Sequence, residues 1–311
     1  MGYSRWDSGS YTTYTSSISD MSTEEVFSRG SLDSQMNPKG VDFREARDSA
    51  ENPNSTPIIV ALDVTGSMGR IADYMARSGL GKMVDEILER APVVDPAVLI
   101  MGVGDAAYDD APLQIGQFES DIKIANWLES LYLEHGGGGN NSESYDLPYY
   151  FANFHTKTDA FENRHQPGVL ITIGDEEPPP STRRIHINKF IGDTIQEDIP
   201  FSDLITMTRQ MYIPYHIIIS EGSHASRNLE TVQRKWDRLL GQNAITLNDH
   251  RNIAELIVTI LEIEAGRSMD ESINSWGGNV TGSLTEALRG YVPEEALAGG
   301  PRLPRRLDVS A

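Results

Sequence analysis

Cysteine is absent from the 311 residues, which excludes disulfide frameworks, thiolate zinc sites and cysteine nucleophiles at once. Positive charge is scarce: 26 Lys plus Arg face 46 Asp plus Glu, giving a formal charge of −20. A surface of that sign repels phosphates, and no long Lys/Arg run overrides it, so nucleic acid and anionic lipid are not expected partners. A divalent cation is attracted instead. No apolar run approaches the roughly 18 residues of a membrane span. Met1-Gly2-Tyr3-Ser4-Arg5-Trp6-Asp7 carries no apolar signal region, and Trp6 stands where a myristoylation pattern needs Ser or Thr. A cytoplasmic chain without a membrane segment is the expectation.

What is present is enough for a core, since 39% of the residues are hydrophobic. Residues 1–56 differ from the rest. Ser, Thr and Tyr crowd Tyr3 to Thr23, and Pro38, Pro53 and Pro57 punctuate a charged stretch, which predicts an extended, weakly ordered arm unless Tyr3, Trp6, Tyr11 and Tyr14 anchor it. Residues 57–265 alternate short apolar runs with helical periods, the pattern of an α/β domain. Strands are predicted at Ile58 to Leu62, Ala97 to Val103, Val169 to Ile173 and Tyr212 to Ile219, with Ala244 to Leu247 at an edge. Leu113 to Phe118, after the Asp109-Asp110-Ala111-Pro112 turn, returns antiparallel to the second of these. Helices are predicted around Leu80 to Leu88, Ile124 to Tyr132, from Ser142 onward, Leu229 to Leu240, and Ile253 to Leu261 behind Asp249 as a cap. Residues 266–311 are rich in Gly and Pro and predict a loose tail with one short helix around Leu284 to Arg289.

Chemistry concentrates at Asp63-Val64-Thr65-Gly66-Ser67-Met68-Gly69, just past the first strand. One carboxylate and two hydroxyls at alternate positions converge where an open α/β sheet binds its ligands, and they suit a hard cation such as Mg²⁺. Taken alone, the stretch reads rather as an ordinary strand-to-helix turn with Asp63 or Ser67 as a helix cap. Two further loops point to the same edge. Asp175 follows its strand as Asp63 follows the first, and Ser142, Glu143 and Ser144 come after the glycine run Gly136 to Gly139. Anionic oxygens gathered there repel one another, and a bound cation compensates them.

These three loops, in this order, resemble the metal-ion-dependent adhesion site of von Willebrand factor A (VWA) domains, and the order of strands and helices resembles that fold over roughly Pro57 to Ala265. The resemblance implies a doubly wound, mostly parallel central sheet with one antiparallel edge strand, flanked by helices. It also implies one Mg²⁺ or Mn²⁺ on the sheet's upper edge, whose open position accepts a carboxylate from a protein partner. Thr65 and Ser67 would ligate through their hydroxyls, Ser142 or Glu143 would supply the second loop, and Asp63 and Asp175 would act directly or through water. Three departures stand out: Thr65 replaces the usual Ser, Ser142 and Glu143 replace the usual Thr, and Gly174-Asp175-Glu176-Glu177 replaces the usual Asp-Gly order.

Other readings were weighed on the residues. Gly102-Val103-Gly104-Asp105-Ala106-Ala107 fails as a dinucleotide loop because Asp109, Asp110 and Pro112 occupy the place of the helix; Asp105 reads as a turn residue or an acceptor behind the metal. Gly79-Leu80-Gly81-Lys82 lacks the spacing of a phosphate loop. A strand-end Asp nucleophile needs a second Asp at position 65, which is Thr, and the seven His residues show no paired ligand spacing. His216 reads as packed or surface-facing. The expected function is therefore metal-dependent protein–protein interaction without catalysis. The resemblance suggests an AAA+ ATPase of the MoxR type as partner class. A structural or assembly protein using the fold as a scaffold, and a metal-dependent hydrolase, are the alternatives.

Overall fold

The computed structural model describes residues 5–134 and 140–293, the side chain of Ser67 excepted. Its strands in chain order are β1 (Arg44–Ala46), β2 (Thr56–Asp63), β3 (Pro96–Val103), β4 (Leu113–Ile115), β5 (Thr156–Thr158), β6 (Gly168–Gly174), β7 (Ser181–Thr182), β8 (Ile199–Pro200), β9 (Tyr212–Ile219) and β10 (Ala244–Leu247). Six of them form one sheet in the order β10-β9-β6-β2-β3-β4. All neighbours are parallel except β4, which runs antiparallel to β3. The fold is α/β and doubly wound, with a mostly parallel sheet and one antiparallel edge strand.

Every residue of β2, β6 and β9 is buried, as a sheet covered on both faces requires. Alternation divides β2 between two cores: Ile58, Val60 and Leu62 join one, Ile59 and Ala61 the other. The first core is closed by helices Gly69–Tyr74, Leu80–Arg90, Lys123–Glu129 and Ile253–Glu264, the second by Asp146–Phe154, Phe201–Thr208 and Ala225–Leu240. The strand order reverses at β2, with β3 on one side and β6 on the other. A crevice therefore opens at the carboxyl ends of β2 and β6.

The described parts of the arm and of the tail, residues 5–56 and 266–293, are more ordered than their composition predicts. Between residues 5 and 56 the arm is not loose: helix Ser8–Ile18 starts on the Asp7 cap, whose carboxylate accepts the Ser10 N–H at 2.7 Å. A hydroxyl-rich helix has weak intrinsic propensity, so packing must hold it. Trp6, Tyr11 and Ile18 are buried in the first core; the Trp6 indole donates to Asp85 at 2.8 Å and the Tyr11 hydroxyl to the Ala76 carbonyl at 3.0 Å. Gly81 makes room, because a Cβ there would stand 1.8 Å from the Tyr11 ring. β1 adds a second tie by pairing in parallel with β5. Tyr3 lies outside the described residues.

Tyr11→Ala removes this anchor and is expected to cost about 3 kcal/mol, the usual range for a buried aromatic. Denaturant unfolding measures it, with limited proteolysis cutting the arm before the domain. An unchanged midpoint would show that the arm contributes nothing to the core.

At the other end, helices Met269–Asn274 and Gly278–Ala287 replace the predicted loose tail up to residue 293. Helix Ile253–Glu264 is buried on every residue, so its outer face needs a cover, and Ile273, Leu284, Leu288 and Tyr291 supply it. The short helix thus lies earlier than Leu284 to Arg289. The Gly/Pro-rich stretch beyond residue 293 lies outside the described residues. Helix Lys123–Glu129 ends before Leu131 and Tyr132, and the helix expected from Ser142 begins at Asp146.

Candidate metal centre

β2 delivers Asp63 to the crevice and the chain turns immediately. The Asp63 carboxylate accepts the Thr65 N–H at 2.9 Å and the Thr65 hydroxyl at 2.6 Å on Oδ1, and the Tyr145 hydroxyl at 2.8 Å on Oδ2. Asp63 is 1% exposed. Burial pushes its carboxyl up from the ordinary range, the Thr65 bonds oppose this, and the charge of Asp175 adds to it. Backbone atoms of Ser67 lie in the short 3₁₀ turn Gly66–Met68 that opens the following helix; its side chain lies outside the described part.

The second loop presents Ser142 and Glu143 in different surroundings. The Ser142 hydroxyl is spent on the Glu177 carbonyl at 2.9 Å. Glu143 is 2% exposed, and its Oε2 meets no hydrogen-bond partner among the described residues. Burial drives its carboxyl far up, and the charges of Asp63, Glu176, Asp105 and Asp109 drive it further. Ser144 turns aside to accept the Ala106 N–H at 2.9 Å. Asp105 accepts from Ala107 N at 2.8 Å and from the Asn140 amide at 2.7 Å, so it braces the neighbouring loop as a turn residue does.

The third loop brings two carboxylates. Asp175 Oδ2 accepts the His224 and Ala225 N–H groups at 2.7 and 3.3 Å, which caps helix Ala225–Leu240 and ties that helix to the site. Gly222 is needed for this approach, since a Cβ there would meet the Asp175 side chain at 2.2 Å. Glu176 is half-buried; burial and then the charges of Asp63 and Asp175 push it up to about 7, and its Oε2 is unpartnered among the described residues. Asp63, Glu143, Asp175 and Glu176 therefore share one crevice. Two of them carry oxygens with no donor among the described residues, and the donor set is all oxygen, which fits a hard divalent cation.

No protein-family model matches the chain, and no curated protein matches it. Among solved structures it is similar to the open conformation of the pilus adhesin SpaC from Lactobacillus rhamnosus GG, with a TM-score of 0.46 and 11% identity over 72% of this chain and 31% of that one. It is also similar to a von Willebrand factor type A protein from Catenulispora acidiphila, with a TM-score of 0.36 and 13% identity over 69% of this chain and 44% of that one. The chain spans less than half the length of either.

Three aromatic residues that sequence reasoning did not assign hold the crevice in shape. Tyr145 binds Asp63 and also accepts the Glu176 N–H at 3.4 Å. Trp236 donates from its indole to the Glu176 carbonyl at 3.0 Å. His216 stacks on Trp236 at 3.6 Å and 9° and meets Tyr145 edge-on; it is fully buried, its Nδ1 pairs with the Thr172 hydroxyl at 2.8 Å, and burial drives its pKa well below the ordinary value. Of the two places its alternation on β9 left open, packed or surface-facing, it takes the packed one. Gly174 is what admits Tyr145, because a Cβ there would stand 1.9 Å from the phenol oxygen.

A second group lies at the ends of β9 and β10. Ligand atoms of Glu221, Asp249 and His250 all fall within 4.8 Å of one another, the one such trio among the described residues. Its members are already satisfied: His250 Nδ1 pairs with Glu221 at 2.7 Å, and Arg251 forks onto Asp249 at 2.9 and 2.7 Å. Of the switch-point carboxylates, Asp63 and Asp175 are likewise hydrogen-bonded, whereas Glu143 and Glu176 each keep an oxygen without a partner among the described residues. Among the described residues no helix is long and apolar enough to cross a membrane.

Proposed function

We propose that the crevice between β2 and β6 binds one divalent cation, Mg²⁺ or Mn²⁺, and that the chain uses this ion to capture a protein partner. One observation carries the reading: Glu143, buried and facing Asp63, has a carboxylate oxygen with no donor among the described residues, a cost that a cation removes. Asp63, Thr65, Glu143 and Glu176 would hold the ion, with Ser67 from the same turn, and Asp175 would position the third loop from behind. The reading is of a binding site and not of a catalytic one, since His216 lies sealed between Tyr145 and Trp236.

Calorimetric titration of Mg²⁺, Mn²⁺ and Ca²⁺ into the full chain tests it, beside a variant combining Asp63→Ala with Ser67→Ala. One ion per chain is expected, lost in a variant that still unfolds cooperatively. No binding at about millimolar metal, the weak end of natural divalent sites, overturns the reading. Recovery from lysate in Mg²⁺ against chelator then asks whether the partner class is the AAA+ ATPase that the VWA resemblance suggests.

A further inference from the structure

The carboxylates of the crevice raise a difficulty for any acidic partner. A single divalent ion balances two charges, whereas Asp63, Asp105, Glu143, Asp175 and Glu176 act on one another there. The loaded site stays negative overall and by itself repels a carboxylate at long range. Something nearby must supply the attraction.

The third loop runs on through Pro178-Pro179-Pro180 into β7, then Arg183, and then a helical segment that begins at Arg184 and continues through Ile187–Ile191. β7 packs against helix Asp146–Phe154, the helix that follows Glu143, and His186 lies within the field of Asp105. Arg183, Arg184 and Lys189 are exposed and have no ion-pair partner among the described residues, in a chain of net charge −20. The Asp198 carboxylate accepts the Arg184 backbone N–H at 2.8 Å and so fixes the start of this segment without neutralising the guanidinium by a salt bridge. Ile185, one of the most exposed large hydrophobic side chains among the described residues at 50%, stands directly beside the two arginines in the chain. Paired cations beside an exposed apolar side chain, on an otherwise acidic surface, are the makings of an interface.

We propose that Arg183, Arg184 and Ile185, at the start of the helical segment after β7, form the specificity rim of the metal site, and that they recognise an extended acidic segment with an apolar residue between its acids. One carboxylate reaches the ion, the others lie on Arg183 and Arg184, and the apolar side chain covers Ile185. The arginines steer the segment and the ion fixes its register. This inference rests on the cation-binding reading above.

The probe is a fluorescein-labelled peptide repeating Asp-Leu-Asp-Gly, with its Asn-Leu-Asn-Gly counterpart as control, followed by anisotropy in Mg²⁺ and in chelator. Arg183→Glu with Arg184→Glu is expected to weaken the acidic peptide by about tenfold or more at low salt, with the difference shrinking as salt rises. Calorimetric Mg²⁺ affinity should not fall, and Arg289→Glu should leave the peptide unaffected. Equal peptide binding by wild type and the double variant, or none by wild type, overturns the rim even if Mg²⁺ binds. Arginine-dependent binding of equal strength in Mg²⁺ and in chelator overturns the rim as part of a metal site, whereas only the absence of calorimetric Mg²⁺ binding overturns the cation reading, so the two claims fail separately.

Discussion

Glu143→Gln is expected to weaken divalent-cation binding by about 10- to 100-fold and, in the same protein, to raise the melting temperature of the metal-free form by several degrees. The two effects have one cause. Glu143 is a buried carboxylate facing Asp63, Glu176, Asp105 and Asp109, and it carries an oxygen without a donor among the described residues. Gln keeps the volume, removes the charge and offers an amide that can donate to the neighbouring carboxylates, so the empty site relaxes. The cation loses an anionic ligand. A group kept for packing alone would give the opposite result, with unchanged metal affinity and no gain in stability. Calorimetry and thermal unfolding in chelator separate the two, and a stabilising loss of function is the signature of a strained binding site.

The second large effect is on pH dependence. Asp146 and Glu176 ionise near ordinary carboxylate values when unfolded and at about 7 when folded, chiefly because of burial; Asp63 and Glu143 move in the same direction for the same reason. Between these limits the folded state binds more protons than the unfolded state. Stability is therefore greatest below about pH 4 as far as these groups are concerned, and it falls as pH rises through about 7. Buried His216, whose pKa is lowered, acts in the opposite sense below its ordinary value of 6.5, but it is one group against four.

In chelator the melting temperature should thus fall from pH 5 to pH 8 by several degrees. In saturating Mg²⁺ the slope should flatten or reverse, because the ion binds only the deprotonated ligands and its stabilisation grows with pH. Asp146→Asn provides the control: its carboxyl is buried on the helix behind Glu143, so the variant should lose part of the chelator slope and keep the Mg²⁺ response. A melting temperature that rises with pH in chelator would contradict the charge pattern of the crevice.

Much of this was legible locally. The span of β9 and of β10, the antiparallel return at Leu113, and Asp63 at the end of a buried strand follow from side-chain period and from turn residues, which act over a few positions. The arm and the tail were misjudged for a related reason. Ser/Thr-rich and Gly-rich segments look loose when propensity is the only term, and no local signal shows that Tyr11 fits over Gly81 or that Leu284 closes over helix Ile253–Glu264.

The site divides along the same line. The sequence by itself determined that Asp63 and Asp175 follow strands of an α/β fold and that a third loop offers Ser142 or Glu143 ahead of a helix, because these positions are set by chain order and spacing alone. Only the tertiary structure decided which oxygens remain available. The Ser142 hydroxyl donates to a carbonyl and Asp175 Oδ2 accepts from a helix end, while Glu143 and Glu176 each keep an oxygen without a donor among the described residues. Tyr145, Trp236 and Gly174 shape the crevice from three separate elements. The reason is physical: availability of a donor or acceptor is a property of whatever lies within about 3 Å, and those neighbours come from residues 31 to 82 positions away in the chain.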